Sequence, residues 1–407
     1  MRVLLSGGGT GGHVYPILAV VDELTRDEGR RTGDERRRTK DEGPIAEREA
    51  DVEARGAPDA SSVGGGRSAV VALLYVGEAG GAEEELARRA GIPFRAIVSG
   101  QVRGQTPWGA LRSLLRMRRG AAQCRAILAE FRPDVALLTG GYVTAPVAWA
   151  AWRVHVPTLI YLPDVTPGDS IRWTSPLATR VAVSFPEAAR YFGAKAVVTG
   201  YPVRREFFTG ERAAARARWG LRADLPVLLV MGGSRGARSI NRALTAALPA
   251  LLPHCQIVHI SGTLDWPAVE QAAGALRGQE LADRYHPYPY LHELPTVLAA
   301  ADLVVARAGA ATLAEFPAVG LPAILAPYPY SGQHQDANAA YLTERGAAIT
   351  IRDHELAARL APTVLELLGS PQRMAAMAQA ARALARLDAA ANIVRELYRL
   401  AAYEPTQ

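Results

Sequence analysis

The sequence predicts an α/β protein of two domains, each built on a parallel sheet with helices on both faces. Three observations predict this fold class. The chain has 407 residues, which is long for one domain. Short apolar runs alternate with longer amphipathic segments along most of its length. Several of these runs lead directly into glycine-rich loops, as strands do where they turn into helices in such folds.

The apolar runs form two series, separated by residues 200–204. Continuous Val, Leu and Ala runs are typical of parallel strands that are buried on both faces. The first series predicts strands at 2–6, 69–76, 134–138, 158–162, 180–184 and 196–199. The second series predicts strands at 226–231, 256–260, 284–288, 303–306 and 323–326. We therefore expect a first domain over 1–205 and a second over 206–385. The long helical pattern of 374–403 suggests that the C-terminal segment, 386–407, returns to the first domain.

Composition excludes several classes of protein. Hydrophobic residues make up 49% of the chain and charged residues 21%, which excludes a fibrous or disordered protein. No apolar run approaches the roughly 20 residues that cross a bilayer. The short apolar approach to the first glycine loop does not resemble a secretory signal, so we expect a cytoplasmic protein. Cys124 and Cys255 lie far apart without metal-ligand spacing, and both are predicted to be reduced core residues.

Residues 26–68 break the alternating pattern. Of these 43 residues, ten are basic and eleven are acidic, and almost none is large and apolar. Because such a segment cannot offset its ordering entropy by burial, it is predicted to be a disordered insertion, with a partner-binding arm as the alternative. The insertion therefore carries about −1 of the net charge of +6, and the rest of the chain carries about +7. This positive charge favours an anionic partner.

Glycine-rich loops occur in both predicted domains. The first, GGGTGGH at 7–13, satisfies G-x-G-x-x-G. With Glu78 as the acid after the second strand, it would suit a dinucleotide-dependent oxidoreductase. The second loop, MGGSRGA at 231–237, repeats the arrangement and is predicted to place Ser234 at a helix start. Since hydride transfer normally needs one such loop, a loop in each domain favours a phosphorylated ligand held between the domains.

The third loop, RAGAATLAE at 307–315, is the most informative. Its small side chains at 310–312 would let a diphosphate approach a helix start. Glu315 lies in the first turn of that helix, where a carboxylate could accept both hydroxyls of a ribose. His334 and Gln335 follow the next predicted strand, within reach of a sugar on the same diphosphate. Together these segments predict a nucleotide-sugar site.

Six segments occur in the order found in the MurG family of glycosyltransferases, and the chain resembles that family outside residues 26–68. They are GGTGGH at 8–13, GGYV at 140–143, GYPVR at 200–204, GGSRGA at 232–237, RAGAAT at 307–312 and HQDAN at 334–338. The resemblance implies the GT-B architecture, in which two Rossmann-like domains with parallel sheets face an interdomain cleft. It also implies an inverting transfer of N-acetylglucosamine from UDP-N-acetylglucosamine to the C4 hydroxyl of a lipid-linked N-acetylmuramyl-pentapeptide. That reaction is a step of peptidoglycan biosynthesis, and the resemblance implies neither a cofactor nor a metal ion.

The resemblance implies roles for individual residues. His13 is the position most often considered for the general base. Thr10, Gly11 and Gly12 would lie near the donor sugar. The remaining donor contacts would be Arg204 and Ser234 at the nucleotide, Leu291 at the uracil through its backbone, Ala310, Ala311 and Thr312 at the diphosphate, Glu315 at the ribose, and His334 and Gln335 at the sugar.

One segment departs from the family. Members usually have His-Glu-Gln-Asn before a Pro-Gly, whereas residues 161–168 read Tyr-Leu-Pro-Asp-Val-Thr-Pro-Gly. Asp164 replaces the amide expected at the donor, and it is a second candidate base or a group that orients one. The departure leaves open another lipid or a secondary metabolite as acceptor. An oxidoreductase and a non-catalytic nucleotide-sugar sensor are the alternatives from other classes.

Residues 101–119 predict contact with an anionic membrane surface. The segment combines bulky apolar side chains with arginines, a composition typical of membrane interfaces. These residues are Trp108, Leu111, Leu114 and Leu115 beside Arg112, Arg116, Arg118 and Arg119. A core helix with arginines on its exposed side is the alternative. The arginines do not alternate with stacking aromatic residues, so no nucleic acid is expected as a partner. We expect a peripheral protein at the cytoplasmic face of the cell membrane.

Overall fold

The structure is a computed structural model that describes residues 1–8, 11–41, 71–100, 107–233, 236–330 and 334–402, with the backbone alone described at 28–41 and 107–115. It contains two parallel sheets, in agreement with the predicted fold class. Each sheet has an apolar core on both of its faces, because successive side chains of a strand point to opposite sides. Leu4 therefore packs on one face of the first sheet, and Val3 and Leu5 pack on the other.

The first domain contains seven described strands and five α-helices. The strands are β1 (Arg2–Ser6), β2 (Ala72–Gly77), β3 (Phe94–Ala96), β4 (Val135–Leu138), β5 (Thr158–Leu162), β6 (Arg180–Val183) and β7 (Ala196–Val198). The helices are α1 (Gly11–Asp41), α2 (Ala82–Arg89), α3 (Pro107–Phe131), α4 (Thr144–Arg153) and α5 (Asp169–Thr174). The strand order is β3-β2-β1-β4-β5-β6-β7. The order reverses between β1 and β4, where open α/β sheets bind ligands.

The second domain repeats this arrangement with six described strands. They are β8 (Val227–Met231), β9 (Gln256–Ile260), β10 (Tyr285–Tyr288), β11 (Leu303–Ala306), β12 (Ala323–Leu325) and β13 (Ala348–Thr350), in the order β10-β9-β8-β11-β12-β13. The helices that follow the first domain are α6 (Arg212–Arg218), α7 (Arg238–Leu251), α8 (Trp266–Leu276), α9 (Leu294–Ala300), α10 (Thr312–Val319), α11 (His334–Thr343), α12 (Leu356–Leu368), α13 (Pro371–Ala383) and α14 (Ala389–Ala401). The reversal between β8 and β11 places the corresponding ligand site at the carboxyl ends of these strands.

Every predicted strand is present, and two short strands were not predicted. β3 and β13 have three residues each, and both are edge strands. β3 pairs with β2 in the first sheet, and β13 pairs with β12 in the second. A run of three residues is too short to show a strand pattern in the sequence. The missed strands leave the predicted fold class unchanged.

Helix α1 is much longer than expected. It continues to Asp41, so residues 26–41 are helical where the sequence predicts disorder. Arg, Lys and Glu are good helix formers, and no proline lies between Pro16 and Pro44. A helix that tertiary packing has already nucleated can therefore continue through such residues. The rest of the insertion, 42–68, lies outside the described residues.

The C-terminal segment forms two helices, α13 and α14, rather than the single helix predicted over 374–403. Helix α14 packs on the first domain beside α1. Its apolar face joins the cluster that contains Val3, Leu5 and Ile17. Each such buried side chain contributes about 1.5–3 kcal/mol. The helix residues in this cluster are Ile393, Val394, Leu397 and Leu400.

Cys124 and Cys255 are buried free thiols, as predicted. Burial raises the pKa of each thiol to about 12. Within the part of the chain that the structure describes, no helix has the combined length and apolar character that a membrane crossing requires.

Candidate functional site

Asn338 joins the two domains and is fully buried. Its Nδ2 donates hydrogen bonds to Oδ1 of Asp164, at 2.8 Å, and to the carbonyl of Ala308, at 3.0 Å. Its Oδ1 accepts a hydrogen bond from the backbone N–H of Val165, at 3.2 Å. The residues that follow β5 are thus held against those that follow β11. One carboxylate oxygen of Asp164, the second candidate base, is therefore occupied in an interdomain contact.

His334 makes a second contact between the domains. Its Nδ1 lies 2.9 Å from Oγ1 of Thr166. His334 begins α11, and Asn338 follows one turn later, so both side chains lie on the same face of the helix. Gln335 is placed differently, because its Oε1 accepts a hydrogen bond from the backbone N–H of Tyr328, at 2.9 Å. Of the two predicted sugar contacts, His334 bonds to the opposite domain and Gln335 bonds to the loop after β12.

His13 lies in the first turn of α1, where its ring is fixed by the loop after β4. Its Nδ1 is 2.7 Å from the carbonyl oxygen of Thr139. Because a carbonyl only accepts hydrogen bonds, Nδ1 carries the hydrogen, and Nε2 of the neutral ring is the basic nitrogen. The hydroxyl of Thr139 in turn donates to the carbonyl of His13, at 2.6 Å. This pair of contacts sets the tautomer that a general base needs.

The glycines after β4 bring that loop against α1. Gly140 has a φ of +100°, and a Cβ atom there would lie 3.2 Å from Cε1 of His13. Gly141 has a φ of +92°, and a Cβ atom there would lie 2.3 Å from the carbonyl oxygen of Gly8. Both positions therefore require glycine. Gly11 and Gly12 open α1 just before His13, whereas Thr10 lies outside the described residues.

A second group of polar side chains surrounds Glu315, in the first turn of α10. Burial raises the pKa of the Glu315 carboxyl to about 7, although the positive charge of Arg204 acts in the opposite direction. The guanidinium of Arg204 lies over the rings of Tyr15, at 5.5 Å, and Phe207, at 5.4 Å. Tyr15 belongs to α1 of the first domain, so this group spans both domains.

Tyr15 and Tyr290 interact within the same group, since Tyr290 influences the pKa of Tyr15. Burial raises the pKa of the Tyr15 hydroxyl to about 12, Tyr290 adds to the rise and Arg204 opposes it. Tyr290 immediately precedes Leu291, the predicted uracil contact. Leu291 itself packs against the core of the second domain, which leaves its backbone as the group that could meet a base.

The third glycine loop lies at the domain interface. Ala310 and Ala311 pack against the apolar cluster of the first domain. Thr312 begins α10, as predicted, and its hydroxyl donates to the carbonyl of Gly309, at 2.6 Å. A phosphate needs hydrogen-bond donors, but this hydroxyl already donates within its own turn. A diphosphate would therefore be met by backbone amides of the loop.

The second glycine loop differs from its prediction. Helix α7 begins at Arg238, four residues after Ser234. Glycines at 232, 233 and 236 favour non-helical backbone, which delays the start of the helix. Ser234 lies outside the described residues, so its predicted phosphate contact stays a prediction.

Several cleft residues were not singled out from the sequence. Asn338 is one of them, and its spacing of four residues from His334 was a usable signal, because this spacing puts both side chains on one face of a helix. No signal of comparable strength exists for the others, since their partners are distant in sequence. These are Tyr15, Thr139, Thr166 and Tyr290.

We expect Asn338→Ala to destabilise the protein by about 2–4 kcal/mol, because the change leaves the buried N–H of Val165 and the carbonyl of Ala308 without their partner. Chemical denaturation of the purified protein measures this change. Asn392→Ala is the control, because Asn392 is half-buried and its Nδ2 donates to the carbonyl of Thr199, at 3.2 Å, within the packing of α14 on the first domain. Equal stabilities for the two variants would contradict the assigned role of Asn338.

Two Rossmann-like domains that meet along a cleft of charged and polar side chains define the GT-B fold. The crystal structure of MurG from Acinetobacter baumannii has the same fold, with a TM-score of 0.69 and 22% identity over 98% of this chain and 99% of that one. Residues 67–183 match the glycosyltransferase family 28 N-terminal domain, and residues 227–393 match the glycosyltransferase family 28 C-terminal domain.

Two relatives carry the name UDP-N-acetylglucosamine–N-acetylmuramyl-(pentapeptide) pyrophosphoryl-undecaprenol N-acetylglucosamine transferase. The protein from Roseiflexus sp. (strain RS-1) is 41% identical over 439 residues, which cover 97% of this chain and 93% of the relative. The protein from Desulforudis audaxviator (strain MP104C) is 39% identical over 411 residues, which cover 98% of each. The chain therefore belongs to the MurG family, within glycosyltransferase family 28. This confirms the family resemblance found in the sequence and argues against the alternative of a dinucleotide-dependent oxidoreductase.

Proposed function

We propose that the protein is an inverting glycosyltransferase that moves N-acetylglucosamine from UDP-N-acetylglucosamine to the C4 hydroxyl of lipid-linked N-acetylmuramyl-pentapeptide, in peptidoglycan biosynthesis. The observation that carries the proposal is the interdomain cleft. There the first domain supplies His13 in its basic tautomer, and the second supplies Glu315 with a pKa raised to about 7 by burial. The names of the family relatives support the same reaction.

In this proposal the second domain holds the donor. The carboxylate of Glu315 accepts the ribose hydroxyls, and Arg204 beside it meets the nucleotide. The loop at 308–312 presents its backbone amides to the diphosphate at the start of α10, where the helix dipole favours negative charge. Leu291 meets the uracil through its backbone, Ser234 contacts the nucleotide, and His334 and Gln335 lie on the sugar side.

The acceptor hydroxyl reacts on the side of the first domain. Nε2 of His13 removes the proton from the C4 hydroxyl as its oxygen forms a bond to C1 of the donor sugar. The bond from C1 to the diphosphate breaks on the opposite face, which inverts the configuration at C1. Helix-start amides and Arg204 stabilise the charge that grows on the departing UDP. The proposal needs no metal ion for this step.

The altered segment at 161–164 fits this acceptor class. Tyr161, Leu162 and Pro163 are buried, and the Tyr161 hydroxyl lies 2.6 Å from Oγ of Ser184. The departure from the family pattern at these three positions therefore changes the packing behind the cleft. Of the residues at 161–164, Asp164 accepts a hydrogen bond across the cleft, from Asn338. We assign Asp164 to the positioning of the two domains and keep His13 as the base.

Thermal unfolding with nucleotides tests the donor assignment. A ligand that binds only the folded protein, at 100 times its Kd, stabilises it by about 2.7 kcal/mol. We expect UDP to raise the melting temperature and NAD to leave it unchanged. Protection by NAD, or none by UDP at millimolar concentration, would contradict a UDP-sugar site.

We further propose that the protein binds the cytoplasmic face of the membrane as a peripheral protein, and that nucleic acid is not a partner. Exposed aromatic side chains on the first domain support this proposal. Trp149 and Trp152 lie three residues apart on α4, with 42% and 48% of their surfaces exposed. Trp173, on the neighbouring α5, is 80% exposed. Such residues are typical of membrane interfaces.

Basic side chains lie on the other helix that packs against α4. Arg116, Arg118 and Arg119 of α3 are exposed and would face anionic lipid headgroups. The other predicted residues of this segment lie outside the described side chains. They are Trp108, Leu111, Arg112, Leu114 and Leu115.

We expect Trp152→Gln and Trp173→Gln together to weaken binding to anionic liposomes, measured by co-sedimentation, by about 30-fold or more, because burial of each indole in the interface is worth more than 1 kcal/mol. Leu264→Gln is the control, since Leu264 is 66% exposed but belongs to the second domain. Equal binding of the double variant and the control, or equal binding to neutral and anionic liposomes, would contradict the proposed surface.

A further inference from the structure

Arg307 lies directly after β11, at the edge of the second sheet where the donor contacts were assigned. Its side chain is only 11% exposed, and it forms an ion pair with Asp353, whose side chain is 25% exposed. Asp353 lies between β13 and α12. Neither residue is among the donor and acceptor contacts described above. Because the carboxylate compensates the charge of the guanidinium, Arg307 is engaged within the protein.

The guanidinium of Arg307 bonds to the helix that follows the second glycine loop. Its Nη2 donates to Oγ of Ser239, at 2.7 Å, and Ser239 lies in the first turn of α7. The Ser239 hydroxyl in turn donates to Oδ1 of Asp353, at 2.6 Å, and Nη1 of Arg307 donates to the same oxygen. The three side chains form a closed triangle of hydrogen bonds. This triangle joins the segments that follow β8, β11 and β13.

The same guanidinium also holds the loop after β12. Its Nη1 donates to the carbonyl of Ala326, at 3.0 Å, and its centre lies 5.3 Å from the centre of the Tyr328 ring. The backbone N–H of Tyr328 donates to Oε1 of Gln335, the predicted sugar contact. Arg307 therefore links the segments that follow β8, β11, β12 and β13, which are four neighbouring strands of the sheet.

The glycine loops have few side chains of their own that could fix their backbone. Residues 308–312 read Ala-Gly-Ala-Ala-Thr, and residues 232–233 are both glycine. In the proposed function both loops bind one UDP-sugar, so the distance between them has to match that ligand. A misplacement of about 1 Å in a substrate site can cost 10²-fold. A planar guanidinium that bonds to several segments fixes such a distance, because its donors have a rigid geometry.

We propose that Arg307 is a positioning residue, which holds the second glycine loop, the third glycine loop and the loop after β12 at the spacing that a UDP-sugar requires. Arg307 acts through the backbone of these segments and does not touch the donor. The inference rests on the proposed function, which places the UDP-sugar at these loops. A residue that only stabilised the fold would raise the melting temperature without changing the affinity of the folded protein for UDP.

Calorimetric titration with UDP, well below the melting temperature, separates positioning from stability. We expect Arg307→Lys to raise the Kd for UDP by about tenfold or more, because lysine keeps the charge but lacks the fork that bonds to several segments. Arg216→Ala is the matched control. Arg216 is 13% exposed, and its partner Asp302 lies directly before β11, at the opposite end of the same strand. This variant should lower the melting temperature and leave the Kd for UDP within about twofold.

Ser239→Ala is a second, milder variant, which removes the bond to α7 and keeps the guanidinium. We expect it to raise the Kd for UDP by at least about threefold. Adding Ser239→Ala to Arg307→Lys should raise the Kd little further, because both changes remove the same contact.

A Kd for Arg307→Lys equal to that of Arg216→Ala would overturn the proposal, and so would unchanged UDP binding in Ser239→Ala. A loss of affinity in Arg307→Ala that Arg307→Lys restores would make Arg307 a direct charge contact, which also overturns it. Absence of UDP binding to the unaltered protein would contradict the proposed function itself, and the inference with it.

Discussion

Replacing His13 by alanine should lower the turnover number by about 10²–10⁴-fold, the range typical of a lost general base. The affinity for UDP-N-acetylglucosamine should change by less than about twofold. The reason is structural, because the Thr139 carbonyl holds Nδ1 protonated and leaves Nε2 as the basic nitrogen. Only the transfer step needs that nitrogen, so donor binding is preserved.

Turnover from initial rates and donor affinity from calorimetry separate the two effects. His254→Ala is the matched control, because His254 is an exposed histidine of the second domain outside the cleft. A His13→Ala variant with the turnover of the control would remove His13 from the mechanism. A parallel loss of donor affinity and turnover would instead make His13 a binding residue.

Replacing Glu315 by alanine should raise the Kd for UDP-N-acetylglucosamine by about 100-fold or more. Hydrogen bonds to a charged group are each worth about 1.5–3 kcal/mol, and the ribose offers two hydroxyls. Turnover at saturating donor should fall much less, since the ribose is remote from the reacting carbon. Glu344→Ala, an exposed glutamate of the second domain, is the control. Equal donor affinities for Glu315→Ala and this control would remove the ribose assignment.

The same residue predicts a pH dependence of donor binding. Burial raises the pKa of Glu315 to about 7 in the unliganded protein. The ribose hydroxyls donate to the ionised carboxylate, so the Kd should fall as the pH rises from about 6 to 8 and change little above that. Both phosphates of a UDP-sugar are diesters and do not titrate in this window. Glu315→Gln should abolish the slope, and a slope that persists in this variant would assign it to another group.

The sequence was sufficient for the fold because the strands carry continuous apolar runs. Residues 158–162, 256–260 and 303–306 form strands with the predicted bounds, since strands that are buried on both faces carry mostly apolar side chains. The pattern of the third glycine loop was equally clear. The small residues of this loop predict a helix start at Thr312, where α10 begins. Local pattern and local structure agree at these places.

The sequence was insufficient where partners come from different domains. The bonds of Asn338 to Asp164 and Val165 depend on how two separately folded domains meet, and no periodicity records that. The altered segment at 161–164 shows the same difficulty. Its residues look like ligand contacts in the sequence, but the packing of Tyr161 against Ser184 places that side chain behind the cleft.

UDP release with purified lipid-linked N-acetylmuramyl-pentapeptide, compared across UDP-sugars, tests the central claim most directly. The cleft described above predicts release with UDP-N-acetylglucosamine, far less with UDP-glucose or UDP-galactose, and the same rates with or without a chelator. Release that vanishes on chelation and returns with added magnesium would contradict charge stabilisation by backbone amides and Arg204. No release with any acceptor, despite donor binding, would identify a sensor rather than a transferase.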